Sequence, residues 1–503
     1  MSDNVLAVKD IHKSFAGVKA LKGIDLQIKP GEIHCLAGEN GSGKSTLIKI
    51  ISGVYQADQG TITYGDKSFS HISPLEAIDH GVQVIYQDFS VFPNLTVMEN
   101  LALTSELAAG RKLVNWKRAR AIAEEAVSKV DFKVDLEAKV GDLSVADKQL
   151  VAISRALMSD AKLIIMDEPT TALTRKEVEA LFRVTLDLKD RGISILFVSH
   201  KLEEVFEISD RFTIIRNGEI VATRLPEELD RKSFSYFMTG REFEESHFVP
   251  ENVSDDPVLE VQGLSLAHGF TDINFSLRQG EILGITGLLG SGRTELALAL
   301  FGEYSPDSGQ ILINGKPART GSIRKAIGAG VGYVPEDRLT EGLFLDRSIS
   351  DNIIIAEIDR LVGRMGLLDD KKRENEAQHW VDELKIATND PENAASTLSG
   401  GNQQRIVLAK WLATAPRILI LNGPTVGVDI GSKYDIHQTL RRLAREGLAV
   451  VIISDDISEV LENCNRVLVM KSGRIEQEID PYTTTEAQLS QIMTHESGQE
   501  VSR

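Results

Sequence analysis

Gly38-Glu39-Asn40-Gly41-Ser42-Gly43-Lys44-Ser45-Thr46 fits G-x-x-x-x-G-K-[ST] at every fixed position, and the chain holds a second, altered copy of it. The copy reads Gly287-Leu288-Leu289-Gly290-Ser291-Gly292-Arg293-Thr294-Glu295. It keeps both glycines and the threonine, but arginine stands where the lysine belongs. A glycine-rich loop between an apolar strand, Ile33 to Ala37, and a helix opening near Lys44 turns backbone N–H groups toward an anion. In that setting Lys44 reaches the β- and γ-phosphates of a nucleotide, and Ser45 is placed to ligate Mg²⁺.

Counting outward from the two loops shows one unit written twice. Gly31-Glu32-Ile33 aligns with Gly280-Glu281-Ile282 at an offset of 249, as do Asp58 with Asp307 and Gln87-Asp88 with Glu336-Asp337. Farther on the offset is 255: Leu143-Ser144 aligns with Leu398-Ser399, Asp167 with Asn422, Ser199 with Ser454 and Gly218 with Gly473. A single six-residue insertion between Asp337 and Leu398 accounts for the step. Two long copies make a tandem domain duplication, not a solenoid, whose period runs to about 20–50 residues. Pro250-Glu251-Asn252-Val253-Ser254-Asp255-Asp256-Pro257 brackets a polar, acidic stretch with prolines and reads as a short linker. The expected halves are 1–250 and 257–503.

Each half reads as α/β. Leu163-Ile164-Ile165-Met166 and Ile193-Ser194-Ile195-Leu196-Phe197-Val198 are short apolar runs, like parallel strands buried on both faces. Ile418-Leu419-Ile420-Leu421 and Val450-Val451-Ile452-Ile453 are their counterparts. Charged, helix-favouring stretches such as Arg175 to Arg191 lie between them. Strands alternating with helices predict a parallel sheet with phosphate loops at strand ends. The stretch from about Asn94 to Val140 is rich in Ala, Glu, Lys and Leu and reads as a helical insert.

Composition narrows the function classes. The chain's 503 residues exceed one ordinary core, and its 42% hydrophobic content is that of a globular protein. A formal net charge of -18 argues against nucleic acid as the main partner. Cys35 and Cys464 are too far apart for a disulfide framework or a metal site and read as buried thiols. The polar start Met1-Ser2-Asp3-Asn4 lacks a signal-peptide pattern, and no run reaches the ~18–20 apolar residues of a membrane span. The expectation is a cytoplasmic chain whose membrane role is peripheral, through a partner.

Two further segments carry chemistry. Leu163-Ile164-Ile165-Met166-Asp167-Glu168-Pro169 is an apolar strand ending in two carboxylates, which places Asp167 near a metal and Glu168 near an attacking water. Thr397-Leu398-Ser399-Gly400-Gly401-Asn402-Gln403-Gln404-Arg405 sets a serine and two glycines before a helix, a second anion-binding N-terminus formed by Ser399, Gly400 and Gly401. Together these motifs resemble the Walker A, Walker B and signature sequences of ATP-binding cassette proteins. The resemblance places Phe15 as the aromatic that stacks on adenine, Gln87 in Tyr86-Gln87-Asp88 as the Q-loop glutamine and a metal contact, and His200 as the switch histidine. Val426-Gly427-Val428-Asp429 resembles the D-loop.

The likeness is closer to one branch, the double-cassette ATPase subunits of bacterial importers for ribose, galactose, arabinose and similar sugars, and it covers essentially the whole chain. Its marks are two cassettes in one polypeptide, Gly292-Arg293-Thr294-Glu295 in the second loop, Pro335-Glu336-Asp337-Arg338 in place of the second Q-loop, and the degenerate signature Leu143-Ser144-Val145-Ala146-Asp147. The chain departs from the branch at Asn422-Gly423, where Asp-Glu is usual. The resemblance implies two tandem nucleotide-binding domains, each with a P-loop parallel sheet, an antiparallel β part and a helical subdomain. It implies ATP and Mg²⁺ as cofactors and two integral-membrane permease subunits as partners. It also implies an extracytoplasmic solute-binding protein acting through the permease, no nucleic acid, and a peripheral place on the cytoplasmic face of the bacterial inner membrane.

Cassettes of this family pair head to tail, so that each ATP meets the Walker motifs of one half and the signature of the other. On that pattern, Lys44, Gln87, Asp167, Glu168 and His200 pair with Ser399-Gly400-Gly401 and Asp429, all intact. The other set is Arg293, Glu336, Asn422, Gly423 and Asp455 with Ser144-Val145-Ala146 and Thr174, nearly all altered. Asn422 offers a metal no carboxylate charge, and Gly423 has no side chain to orient water. The second half is also four residues shorter, by alignment of Leu6 with Leu259, where the adenine-stacking loop lies. The expectation is one hydrolytic site and one that does not hydrolyse ATP. Three alternatives stand beside a sugar importer: an importer for a nucleoside or another small polar solute, a soluble double-cassette ATPase acting on ribosomes or DNA, and a pure binding module without turnover, which the intact Lys44 and Glu168 oppose. The acidic linker and the two distant cysteines oppose the second.

Overall fold

The apolar runs β3 (Ile33–Ala37), β6 (Val82–Ile85), β7 (Leu163–Asp167) and β8 (Ser194–Ser199) are rich in β-branched and aliphatic residues and mostly buried on both faces. With β9 (Arg211–Arg216) and β10 (Glu219–Arg224) they form a six-stranded sheet in the order β10-β9-β3-β8-β7-β6. It is parallel except for the β9–β10 edge. A smaller antiparallel sheet joins β1 (Leu6–Phe15), β2 (Val18–Ile28), β4 (Gln59–Tyr64) and β5 (Lys67–Phe69) in the order β2-β1-β4-β5. The computed structural model describes residues 4–494 except 16, 87–90, 109–113, 131, 132, 159, 171, 172, 174, 200, 244–246, 251, 252, 255, 319, 320, 364 and 365.

The later residues repeat both sheets. An antiparallel sheet runs β12-β11-β14-β15, from β11 (Pro257–Leu266), β12 (Phe270–Arg278), β14 (Ser308–Ile313) and β15 (Lys316–Pro317). The six-stranded sheet runs β16-β17-β18-β13-β19-β20, from β13 (Ile282–Thr286), β16 (Val331–Val334), β17 (Ile418–Asn422), β18 (Ala449–Ile453), β19 (Arg466–Lys471) and β20 (Arg474–Ile479). Strand for strand this is the first order again. Even a buried clamp recurs. Arg211 Nε donates to Glu32 Oε1 at 2.7 Å, and Arg466 Nε donates to Glu281 Oε1 at 2.5 Å. Each pair ties an edge-side strand to the residue before the loop strand.

The chain divides into two units, Met1–Phe243 and Glu244–Arg503. The sequence put the end of the first half at residue 250; the difference comes from one aromatic. Phe248 lies in the core of the second unit, its N–H donates to Glu462 O at 3.0 Å, and Tyr482 Oη donates to its carbonyl at 2.6 Å. A buried phenylalanine stabilises by roughly 1.5–3 kcal/mol, enough to fix its short segment on the later unit.

The helical inserts are present in both units, as Val97–Ala108 and Trp116–Ser128, and as Ile349–Ile354, Ile358–Leu361 and Asp370–Glu383. They overturn the single six-residue insertion. Asn100 Nδ2 donates to Phe92 O and Thr96 O, both at 3.0 Å, and Asn352 Nδ2 donates to Phe344 O at 3.0 Å and Ser348 O at 2.9 Å. The two knots correspond at an offset of 252, so the extra residues enter in two steps of three. The first step widens 89–91 into the turn around Arg338–Gly342. Among the described residues no helix is long and apolar enough to cross a membrane.

Candidate functional site

In the first unit β3 ends at Ala37 and the chain turns through Gly38–Gly43 into the helix Lys44–Ile51. Gly43 has φ 111°, a left-handed value that suits glycine, and a Cβ there would stand 2.9 Å from Ala20 O. No side chain caps the helix, which leaves its first N–H groups for an anion. Ser42 Oγ, buried within the same loop, has no hydrogen-bond partner among the described residues. Lys44 is only 5% exposed, and its Nζ donates to Gly38 O at 2.6 Å and Glu39 O at 3.0 Å. Ser45 is exposed at the mouth of the loop, beside Thr46. Asn40 and Gly41 form the loop's exposed tip.

β7 delivers Asp167 and Glu168 to the same place. Burial lowers the Lys44 ammonium's pKa, while the charges of Glu168, Asp167 and Glu39 oppose that change. Asp167 is pushed up to about 6, first by burial and then by Glu168's charge, against the pull of Lys44 and Lys49. Glu168 holds a left-handed backbone, φ 49°, which costs about 1–3 kcal/mol for a residue with a Cβ. Its N–H donates to Val198 O at 3.0 Å, tying it to the neighbouring strand. Phe15 ends β1 41% exposed, edge-on to Tyr55 at 5.4 Å and with Lys13 Nζ 5.4 Å from its ring. It offers a flat apolar face near the surface. Gln87 and His200 lie outside the described residues.

The donor set fits a nucleotide with a divalent ion: uncapped amides and an ammonium for phosphate, and a hydroxyl and a carboxylate for the ion. Among the described residues no cluster of three His, Cys, Asp or Glu gathers as a metal site. A magnesium ion needs none, because it is usually held by one or two protein groups and phosphate oxygens.

The second unit has the same loop with different contents. Arg293 Nη1 donates to Gly287 O at 2.6 Å, and Nη2 stands 3.4 Å from Asp455 Oδ2. The loop's cation is thus already paired with a carboxylate from the end of β18. Asn422 ends β17 and hydrogen-bonds with Tyr333. Gly423 holds φ 58° with no side chain. The hairpin before the loop is shorter too: β1 and β2 close from Leu6↔Ile28 to Phe15↔Val18, whereas β11 and β12 close from Leu259↔Leu277 to Leu266↔Phe270. Phe270, just after the turn, is buried, and the turn carries the exposed His268 in place of a phenyl ring.

The signature helices differ in one revealing way. Ser144 caps its own helix: Asp147 N donates to Ser144 Oγ at 3.1 Å, and that hydroxyl donates to Asp147 Oδ2 at 2.9 Å. Among the described residues Ser399 makes no capping bond to the helix Gly400–Leu412; its Oγ accepts from Asn402 Nδ2 at 3.0 Å. A Cβ on Gly401 would overlap Ser432 Oγ and lie 3.2 Å from Asp429 Oδ2. The first unit carries Ala146 at the matching place. Two features went unread in the sequence. One is the Arg293–Asp455 pair. The other is Arg338, whose two donors face the carbonyls of Val426 and Gly427. An arginine followed by a longer turn than the first unit has at that place was the available signal.

Fold and site define a tandem ATP-binding cassette protein of α/β class. The profile of the ABC transporter family matches residues 21–171 and 270–426, and the chain belongs to that family. It is 39% identical to the ribose import ATP-binding protein RbsA of Bacillus subtilis strain 168 over 97% of this chain and 99% of that one. It is 39% identical to a putative ribose/galactose/methyl galactoside import ATP-binding protein of Agrobacterium fabrum, over 98% of this chain and 97% of that one. A similar protein of Geobacillus kaustophilus with the same putative assignment is 38% identical over 98% of each chain.

Proposed function

We propose that the chain is the ATP-hydrolysing, energy-coupling subunit of an importer for a monosaccharide or related carbohydrate, with one working and one degenerate ATP site. The observation that carries this is the contrast between Lys44, set in the field of Asp167 and Glu168, and Arg293, already paired with Asp455. Lys44, Gly38–Thr46 and Phe15 hold ATP in this reading; Ser45, Asp167 and Gln87 hold Mg²⁺, which neutralises phosphate charge. Glu168 orients and deprotonates the attacking water, and His200 meets the γ-phosphate. Ser399, Gly400, Gly401 and Asp429 complete the site in the head-to-tail pairing of the family. The full-length relatives named for ribose and galactose import support the solute class.

The two cassettes in one chain make a full ATPase pair, so the partners are two permease subunits on the cytoplasmic face of the membrane, fed by an extracytoplasmic solute-binding protein. The chain associates there peripherally. Co-purification with a candidate permease, reconstitution in proteoliposomes and ATPase assay against a panel of sugars and nucleosides tests the proposal. Stimulation by a sugar supports it, and stimulation by a nucleoside alone overturns the solute class. A complex with two copies of the chain per permease pair overturns the stoichiometry.

A further inference from the structure

The second unit has lost the Q-loop glutamine, yet the segment that replaces it is firmly built. Asp337 holds it: Oδ1 accepts Leu339 N at 2.9 Å, and Oδ2 accepts Thr340 Oγ1 at 2.7 Å. The five-residue turn Arg338–Gly342 follows, in the place where the first unit has only Phe89-Ser90-Val91. From this turn the Arg338 side chain reaches the segment after β17. Its Nη1 donates to Val426 O at 2.7 Å and its Nη2 to Gly427 O at 3.2 Å. The same guanidinium lies against the signature. A Cβ on Gly400 would stand 2.8 Å from Nη2 and 3.3 Å from Gly427 O, so the guanidinium packs against residue 400 as it stands because that residue is glycine; a side chain there would push it aside.

Three pieces of the second unit therefore meet at one planar cation: the Q-loop replacement, the start of the signature helix and the peptide leading to Asp429. A guanidinium suits this junction because its fork presents parallel donors to two carbonyls at once, which an ammonium cannot do with the same geometry. We infer that Arg338 is a positioning residue for ATP hydrolysis: it holds Gly400 and the Val426-Gly427 peptide in one fixed relation, so that Ser399, Gly400, Gly401 and Asp429 reach the working site as a single rigid group. The inference rests on the proposed reading, in which those residues complete the site built on Lys44. It gives the altered Q-loop of the second unit a task at the other nucleotide. Reading its own nucleotide is replaced by bracing what the unit lends.

The test uses the purified full-length chain. Arg338→Ala should lower kcat for ATP about tenfold, the loss expected when groups that must be placed to within an ångström are freed. Its affinity for ATP, measured without hydrolysis in excess EDTA, should stay within about twofold, because Lys44 and Phe15 are untouched. Arg338→Lys should recover part of the turnover. Amide exchange at 426–429 should speed up in Arg338→Ala, a readout independent of activity. Unchanged kcat, or unchanged exchange at 426–429, overturns the inference. So does a fall in affinity equal to the fall in kcat, which marks general damage. If Arg338→Ala fails to fold, Arg338→Gln is measured in its place against the same outcomes. Glu168→Gln runs beside them. If that variant turns over normally, the one-site reading itself has failed; if it is inactive while Arg338→Ala is unaffected, only the brace has failed.

Discussion

β7 and β17 end in the same left-handed turn, φ 49° at Glu168 and 58° at Gly423, but only one of them carries a side chain there. The backbone demand is shared, since both N–H groups bond the neighbouring strand, at 3.0 Å to Val198 O and 2.8 Å to Ile453 O. Glycine is the relaxed solution to that demand and glutamate the strained one. The first unit keeps the strain at the carboxylate proposed to act on water, and the second has glycine there. The signature helices show the reverse. Ser144 and Asp147 satisfy each other and seal their helix, while Ser399 leaves its helix uncapped. Each unit is locally satisfied in one half of its machinery and not in the other: Glu168 has a strained backbone and the helix after Ser399 is uncapped, and these are the halves the proposed working site uses.

The largest effect that could break this comparison lies at Glu168. Glu168→Gln should cost roughly 10²–10⁴-fold in ATP turnover, the usual loss with a general base, while ATP binding survives. Arg293→Ala should cost less than about tenfold, because its own strand end carries Asn422 and Gly423 in place of the carboxylates. Steady-state ATPase of both variants, with melting curves to show intact folds, decides. Equal loss in the two would end the asymmetry.

A sharper contrast comes from the serines. Ser144→Ala removes a cap and should lower stability by about 1 kcal/mol, as such caps typically do, with turnover unchanged. Ser399→Ala removes no cap, so its stability should hold while turnover falls about tenfold, the loss of a hydrogen bond to a charged phosphate. Chemical denaturation read beside ATPase separates the two. A stability loss at Ser399 matching that at Ser144 would return both to plain capping residues.

Much of this was legible in the residues. The loop strand, its helix, the carboxylate-bearing strand and the signature helix lie where their patterns placed them, because each is a local run read by its own periodicity and punctuation. What escaped reading was pairwise and long-range. Nothing local ties Arg293 to Asp455, or Arg338 to the carbonyls of Val426 and Gly427. Backbone carbonyls have no signature in a sequence at all. The insertion was misplaced for a similar reason: the anchors that divide it into two steps are side-chain amides of Asn100 and Asn352 bonding main chain, and neither looks special in the run of letters. Phe248 falls in the first half by sequence because the proline-bracketed linker begins only at Pro250; its burial depends on a core formed by residues far downstream.

The smallest expected effect is the most demanding test of the comparison. A triple change, Arg293→Lys, Asn422→Asp and Gly423→Glu, restores the lost Walker chemistry of the second unit on paper. The structure gives three reasons for it to fail. A Cβ at 423 would stand 2.9 Å from Val426 Cγ2 and 3.1 Å from Glu336 Cγ, so the new carboxylate enters a crowded corner beside another carboxylate. Asp455 remains at the end of β18, next to whatever cation stands at 293. The signature of the first unit keeps Ala146 in place of a glycine and an Asp147 carboxylate already bonded to Ser144, neither of which suits it to a phosphate. Turnover should therefore stay within about twofold of the unaltered chain. A clear rise would mean that the second site lacks only its Walker residues. The pairing of Ser144 with Asp147 would then be a cap that opens for nucleotide, not a closed helix end.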